Sequence, residues 1–216
     1  MKPQEPYRYE NPNLGQPIRP RAKIGLETPL VGRFWGENKR LIFAPPLWYD
    51  WFVVLVVLLG LWMIATAKWG TPPFQDPYWF LWVGICVLGA GVLALLSSER
   101  MVLDLRQRTY WRREGQGPFK RTTRGRLDEL DAFVLQASEY PLGLNRTVIY
   151  RVVIFWKGHK EPCFIGDRQS MSIGGGAPLN AGAGMLLQKA MRYSKEAQLP
   201  LFDNSYFHSP DPLRLI

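Results

Sequence analysis

The stretch WFVVLVVLLGLWMIATA, Trp51 to Ala67, holds 17 uncharged residues between Asp50 and Lys68, and PYWFLWVGICVLGAGVLALLSS, Pro77 to Ser98, holds 22 more between Asp76 and Glu99. A helix rises about 1.5 Å per residue and needs roughly 20 apolar residues to cross a hydrocarbon core about 30 Å thick. Both runs reach that length once Pro46 to Tyr49 extend the first into the headgroup zone. Trp48, Tyr49, Trp51, Trp69, Tyr78, Trp79 and Trp82 stand at the ends, where a ring can bury its body and hydrate its polar tip. The reading is a two-helix membrane hairpin over residues 47–98, with helices at about 47–68 and 77–98. Gly84, Gly89, Ala90, Gly91 and Ala94 supply small surfaces suited to close packing within the hairpin.

Charge orients the hairpin. Residues 1–46 carry eight Lys and Arg, the connection from Lys68 to Asp76 carries one, and the chain from Glu99 onward carries eighteen. The positive-inside rule then predicts both termini in the cytoplasm, with the hairpin in a bacterial inner (cytoplasmic) or photosynthetic membrane. The first apolar run lies too far along the chain to read as a cleaved leader.

Ahead of the hairpin, Pro3, Pro6, Pro12, Pro17, Pro20, Pro29, Pro45 and Pro46 punctuate a segment of little apolar periodicity. Residues 1–46 are expected to form an extended, Pro-rich arm with no core of its own. Phe34, Trp35 and Phe43, with Leu41 and Ile42, are its candidate docking residues, aimed at the membrane interface or a neighbouring subunit.

Beyond the hairpin the pattern switches to period two, with Met101, Leu103 and Leu105 alternating with Val102, Asp104 and Arg106. Further strands are expected at Tyr110–Arg113, Pro118–Thr123, Leu130–Ala137, Thr147–Lys157 and Glu161–Gly166, the last two joined by a turn at Gly158 and His159. The glycine-rich run SIGGGAPLNAGAG, residues 172–184, reads as a mobile loop. Leu187, Ala190, Met191, Ser194 and Ala197 then recur at helical spacing until Pro200 stops the helix. The fold class is a membrane α-helical hairpin plus an α+β domain over 99–203, with a tail over 204–216.

Three stretches carry a family resemblance: ERMVLDLRQRTYWRRE (Glu99–Glu114), LDELDAFVLQ (Leu127–Gln136), and the helix running into Leu199 to Asp203. On these the chain resembles bacterial membrane-anchored pleckstrin-homology-like domains preceded by a two-helix hairpin, and more distantly the two-helix photosystem I assembly factors. The resemblance implies a curved antiparallel sheet of about six or seven strands closed by one C-terminal helix.

Eight basic residues, Arg106, Arg108, Arg112, Arg113, Lys120, Arg121, Arg124 and Arg126, meet one acid, Glu114, within 21 positions. Such a patch suits an anionic leaflet, which attracts each basic residue near its surface by about 1 kcal/mol, or an acidic protein partner, or it is only the positive-inside signal carried by a folded domain. Nucleic acid is not an expected partner, because no binding motif accompanies the charge. Two cysteines and two histidines are too few for a disulfide framework or a Cys/His-rich metal centre. The glycine run departs from both the P-loop and the dinucleotide fingerprint. Asp128, Glu129 and Asp131 read as solvated acids at a strand entrance. No catalytic, cofactor or metal residues are therefore assigned. The expected function is a non-enzymatic accessory or structural subunit of a membrane protein complex, photosynthetic or respiratory, contacting other membrane subunits and lipids. The alternative is an anionic-lipid-binding module or an assembly factor.

Overall fold

The computed structural model describes residues 30–37, 39–69, 78–96, 99–114, 121–142, 145–159, 164–174 and 176–206. Most of the expected arm, the connection over 70–77, Lys120, Cys163 and His208 lie outside these residues.

Helix α1 spans Leu47–Trp69 and helix α2 spans Tyr78–Leu96; both are long and apolar enough to cross a membrane. They pack on each other through glycine. A Cβ on Gly60 would meet the backbone nitrogen of Leu88 at 2.6 Å, and one on Gly91 would meet Val57 at 2.8 Å. Gly84 abuts Met63 and Ile64, whereas Gly89 faces open space. Close approach within the hairpin thus uses Gly84 and Gly91 of the expected small residues, together with Gly60 on α1. Val53, Gly60, Met63, Gly84 and Gly91 are the buried residues of the pair. Trp48, Trp51, Trp62, Trp79, Trp82 and the leucines between them point outward.

The remainder is an α+β fold with nine strands among the described residues, arranged in two sheets rather than the single six- or seven-stranded sheet expected. In the first, β1 (Val31–Trp35), β2 (Arg40–Ala44), β3 (Arg100–Asp104), β4 (Thr109–Glu114) and β5 (Arg121–Arg126) follow one another as an antiparallel meander. The second has the order β8-β7-β6-β9, from β6 (Leu130–Leu142), β7 (Asn145–Trp156), β8 (Phe164–Ile173) and β9 (Leu201–Asn204). Strand β9 runs parallel to β6, and the other pairings in this sheet are antiparallel.

The arm expectation therefore needs correction. Residues 31–44 form a β-hairpin, turned at Gly36 and Glu37 with φ of 62° and 53°, whose second strand pairs with β3 in the register Phe43↔Met101. The two apolar helices are consequently an insertion between adjacent strands of one sheet, and the domain does not begin at Glu99. The physical cause is alternation: Gly32, Phe34, Leu41 and Phe43 face the core, with Leu41 and Phe43 fully buried, while the residues between them face outward. Gly32 has to be small, because the Tyr193 hydroxyl sits where a Cβ would be, at 2.5 Å.

One core joins the sheets. Leu41, Phe43, Met101, Leu103 and Tyr110 of the first meet Phe133, Leu135, Tyr150, Val152, Ile154, Trp156 and Phe164 of the second. Helix α3 (Gly184–Ala197) covers this core through Leu186, Ala190, Tyr193 and Ala197. That face is rotated from the one expected: Leu187 is half-buried, and Met191 is exposed. Gln198, with φ of 56°, ends the helix, and the Leu199 amide bonds back to the Ser194 carbonyl at 3.2 Å. The turn expected at Gly158 is present, with φ of 63°. Strand β8 extends into the expected loop, ending at Ile173. The segment after it packs inward: Ala177 and Leu179 lie on the core, Ala183 is buried, and the Gly182 amide donates to the Tyr150 hydroxyl at 3.0 Å.

Candidate functional site

Because side chains alternate across a strand, the register defines what the outer face of the five-stranded sheet presents. The row nearest the membrane helices runs Arg100, Arg113, Thr122. The middle row runs Arg33, Ile42, Val102, Trp111, Arg124, and the far row runs Trp35, Arg40, Asp104, Thr109, Arg126. These rows carry six arginines and one acid. Trp35 is 70% exposed and Trp111 37% exposed. Around Trp111, the side chains of Thr109, Arg113, Thr122 and Arg124 line a shallow depression.

Several of these cations are tied down. The Arg33 Nη2 donates to the Pro45 carbonyl at 2.8 Å, and Arg40 Nε pairs with Asp104 Oδ2 at 3.1 Å. Asp104 also accepts the Gln107 amide, and that bond, helped by Arg40, holds its carboxyl below the usual carboxylate range. Arg126 pairs with Asp128 at 3.1 Å. Arg100, Arg113 and Arg124 are exposed and make no ion pair with another described residue.

The basic residues expected to form one patch separate into three groups. Arg106, Arg113, Arg121, Arg124 and Arg126 are exposed, as a surface patch requires. Arg108 closes the molecule instead: its Nη1 donates to the Ala197 carbonyl at the end of α3 at 2.8 Å, and its Nη2 pairs with Asp128 at 3.2 Å. A cation at a helix C-terminus completes an orphan carbonyl and opposes the negative end of the dipole. Arg108 and Arg126 together hold the Asp128 carboxyl below its usual range, with the Arg108 hydrogen bond contributing most. Arg112 does not belong to the surface at all. It is 6% exposed, pairs with Glu99 at 3.0 Å, and places its guanidinium 5.5 Å from the Trp156 ring and 5.4 Å from the Phe164 ring. The alternation of β4 dictates this, since Tyr110 and Arg112 share the inward face.

The arm-docking residues separate in the same way. Phe43 is core, edge-on to Phe164 at 5.7 Å and to Tyr193 at 5.5 Å. Phe34 lies against Tyr193 at 5.7 Å, with the Arg192 guanidinium 4.5 Å above its ring. Of the three, Trp35 alone is exposed. Sequence reasoning missed Arg33, Arg40, Arg100 and Trp111, whose signal was the period-two phasing of Arg33 with Trp35 and of Arg40 with Ile42.

A second polar group ties α3 to both sheets. Asp167 on β8 is 2% exposed, and its Oδ2 lies 2.9 Å from the Tyr193 hydroxyl and 3.4 Å from Lys189 Nζ. The same hydroxyl is 3.0 Å from the Gly32 carbonyl. Burial, reinforced by the Asp167 charge, pushes the Tyr193 phenol well above its ordinary range, so it remains a proton donor. This arrangement clamps β1, β8 and α3 together. Among the described residues, no three His, Cys, Asp or Glu side chains converge on a possible metal position. No protein-family model matches the chain, and no curated protein matches it.

Proposed function

We propose that this protein is a non-enzymatic accessory subunit of a larger membrane protein complex, anchored by its helical hairpin and docking through the outer face of the five-stranded sheet. The observation that carries the reading is the exposure of Trp35 and Trp111 on one face, set among arginines. Tryptophan and arginine dominate the energetics of protein interfaces, because a large ring or a planar fork gains much from desolvation by a partner. The insertion of the hairpin between β2 and β3 supports the same reading, since it fixes that face close to the bilayer. An acidic surface on a membrane-embedded partner would complement it. A photosynthetic or respiratory assembly in a bacterial membrane is the proposed host, with both termini cytoplasmic by the positive-inside distribution. Kinship with pleckstrin-homology-like domains is part of the proposal; two packed sheets with a C-terminal helix on their core favour it, and the strand count departs from it.

Extraction in several mild detergents followed by native electrophoresis tests this. The expected result is stoichiometric comigration with another membrane protein, lost in a Trp35→Ala, Trp111→Ala double variant that still inserts. Migration as a lone 24.9 kDa chain in every detergent would refute it.

A further inference from the structure

Arg100 and Arg113 are direct cross-strand partners on β3 and β4, and both side chains are exposed. Opposite charges placed this way stabilise a sheet, whereas like charges directly opposite destabilise it. The next residue in the row, Thr122, is exposed and brings a hydroxyl, and no described acid pairs with either guanidinium. Two guanidinium forks beside a hydroxyl form a receptor for a tetrahedral oxyanion, because each fork presents paired N–H donors to two oxygens.

The location selects the source of that anion. Helix α2 ends at Leu96, and Arg100 follows four residues later. At a maximum of about 3.6 Å per residue, Arg100 lies within about 14 Å of the helix end. The polar zone outside the hydrocarbon core is itself about 5–8 Å thick on each side. The neighbouring strand β2 ends at Ala44, three residues before α1 begins. Two short links thus tie the row close to the helix ends, within reach of the headgroup zone of a bilayer that holds the hairpin. Trp111, two residues along β4 from Arg113 on the same face, adds an amphipathic ring beside it.

We propose that Arg100, Arg113 and Thr122 form a binding site for the phosphodiester of an anionic lipid headgroup in the leaflet from which the hairpin emerges. The site occupies the row nearest the helices and shares Arg113 and Thr122 with the depression around Trp111. It rests on the proposed bilayer insertion of the hairpin but requires no partner subunit.

The full-length chain reconstituted into phosphatidylcholine vesicles tests the site, using electron paramagnetic resonance of spin-labelled phosphatidylglycerol and spin-labelled phosphatidylcholine. Wild type should select the anionic lipid. The Arg100→Gln, Arg113→Gln variant should lose up to roughly thirtyfold in relative affinity at that site, and Lys157→Gln, Lys195→Gln, at exposed cations outside the face, should retain it. High salt should weaken the selection only partly, since a bidentate contact at the headgroup level is less screened than a diffuse field. Arg113→Lys, which keeps the charge and loses the fork, should fall between wild type and Arg113→Gln. In neutral detergent the double Gln variant should unfold at or above the wild-type temperature, because it relieves a like-charge pair. Equal selectivity in wild type and the Arg100→Gln, Arg113→Gln variant would overturn the proposal. So would abolition of the selectivity by inorganic phosphate at constant ionic strength, which would assign the site to a soluble anion, or its appearance only with a copurifying protein. Failure of the chain to enter vesicles would count against the hairpin reading itself, a separate result.

Discussion

Arg112 and Arg113 are adjacent, equally basic and opposite in role. The pleat sends Arg113 outward and turns Arg112 inward, beneath Glu99 and against the Trp156 and Phe164 rings. Arg112→Ala breaks a buried ion pair and removes the guanidinium packed against two core rings, so it should cost about 3–5 kcal/mol, against less than about 0.5 kcal/mol for Arg124→Ala. Denaturant unfolding of the detergent-solubilised protein measures both. Adding Glu99→Gln to Arg112→Met should recover much of the loss, because neither partner is then left charged and buried. Asp104 supplies the corresponding pH effect. Its carboxyl is depressed from the ordinary value of 3.8 by the Gln107 amide and by Arg40. Its contribution is therefore present above that ordinary value and fades as pH falls through it toward the lower native value. Asp104→Asn should lower the unfolding temperature at neutral pH and flatten its decline below about pH 4.

At the scale of elements, the helices of the hairpin meet through residues too small to be replaced. Gly60→Leu would drive a side chain into the Leu88 backbone and should lower the thermal stability of the hairpin by several degrees, whereas Gly89→Leu faces open space and should leave it unchanged. Thermal unfolding in one detergent compares the two directly. Helices α1, α2 and α3 were legible in the sequence because each carries its own signal: apolar length for the first two, and a 3.6-residue period for the third. Strands β3, β4, β6 and β7 were legible by alternation. Strands β1 and β2 were not, because each has only five residues, Gly32 and Ala44 dilute the apolar pattern, and β3 begins 56 residues beyond Ala44 on the far side of the hairpin. Nothing local announces such a pairing. The candidate site was half legible for the same reason: Arg113, Arg124 and Arg126 belong to the basic run that the sequence singles out, while Arg33, Arg40 and Trp35 became part of the face only when β1 and β2 joined it.

For the whole molecule, one domain is interrupted by two helices long and apolar enough to cross a membrane. Strand β2 leads into α1, the chain makes the helical hairpin, and β3 returns beside β2. A flexible tether would let the basic, Trp-bearing face wander, whereas two short covalent links from neighbouring strands hold it beside the ends of the two apolar helices. The proposed docking and lipid contacts both depend on that fixation. It also means that the chain from Glu99 onward is incomplete: without β1 and β2, the core loses Leu41 and Phe43, β3 becomes an open edge, and the Tyr193 hydroxyl loses the Gly32 carbonyl. Each large apolar side chain lost from the core removes about 1.5–3 kcal/mol, and an unpaired edge invites aggregation. The decisive measurement is a comparison of two soluble chains by circular dichroism and thermal unfolding: residues 99–216 alone, and residues 1–44 joined through an Asn-Gly turn to residues 100–216. The account predicts a cooperative transition for the joined chain and aggregation or no transition for the fragment. A fragment that unfolds cooperatively at the same temperature as the joined chain would contradict it.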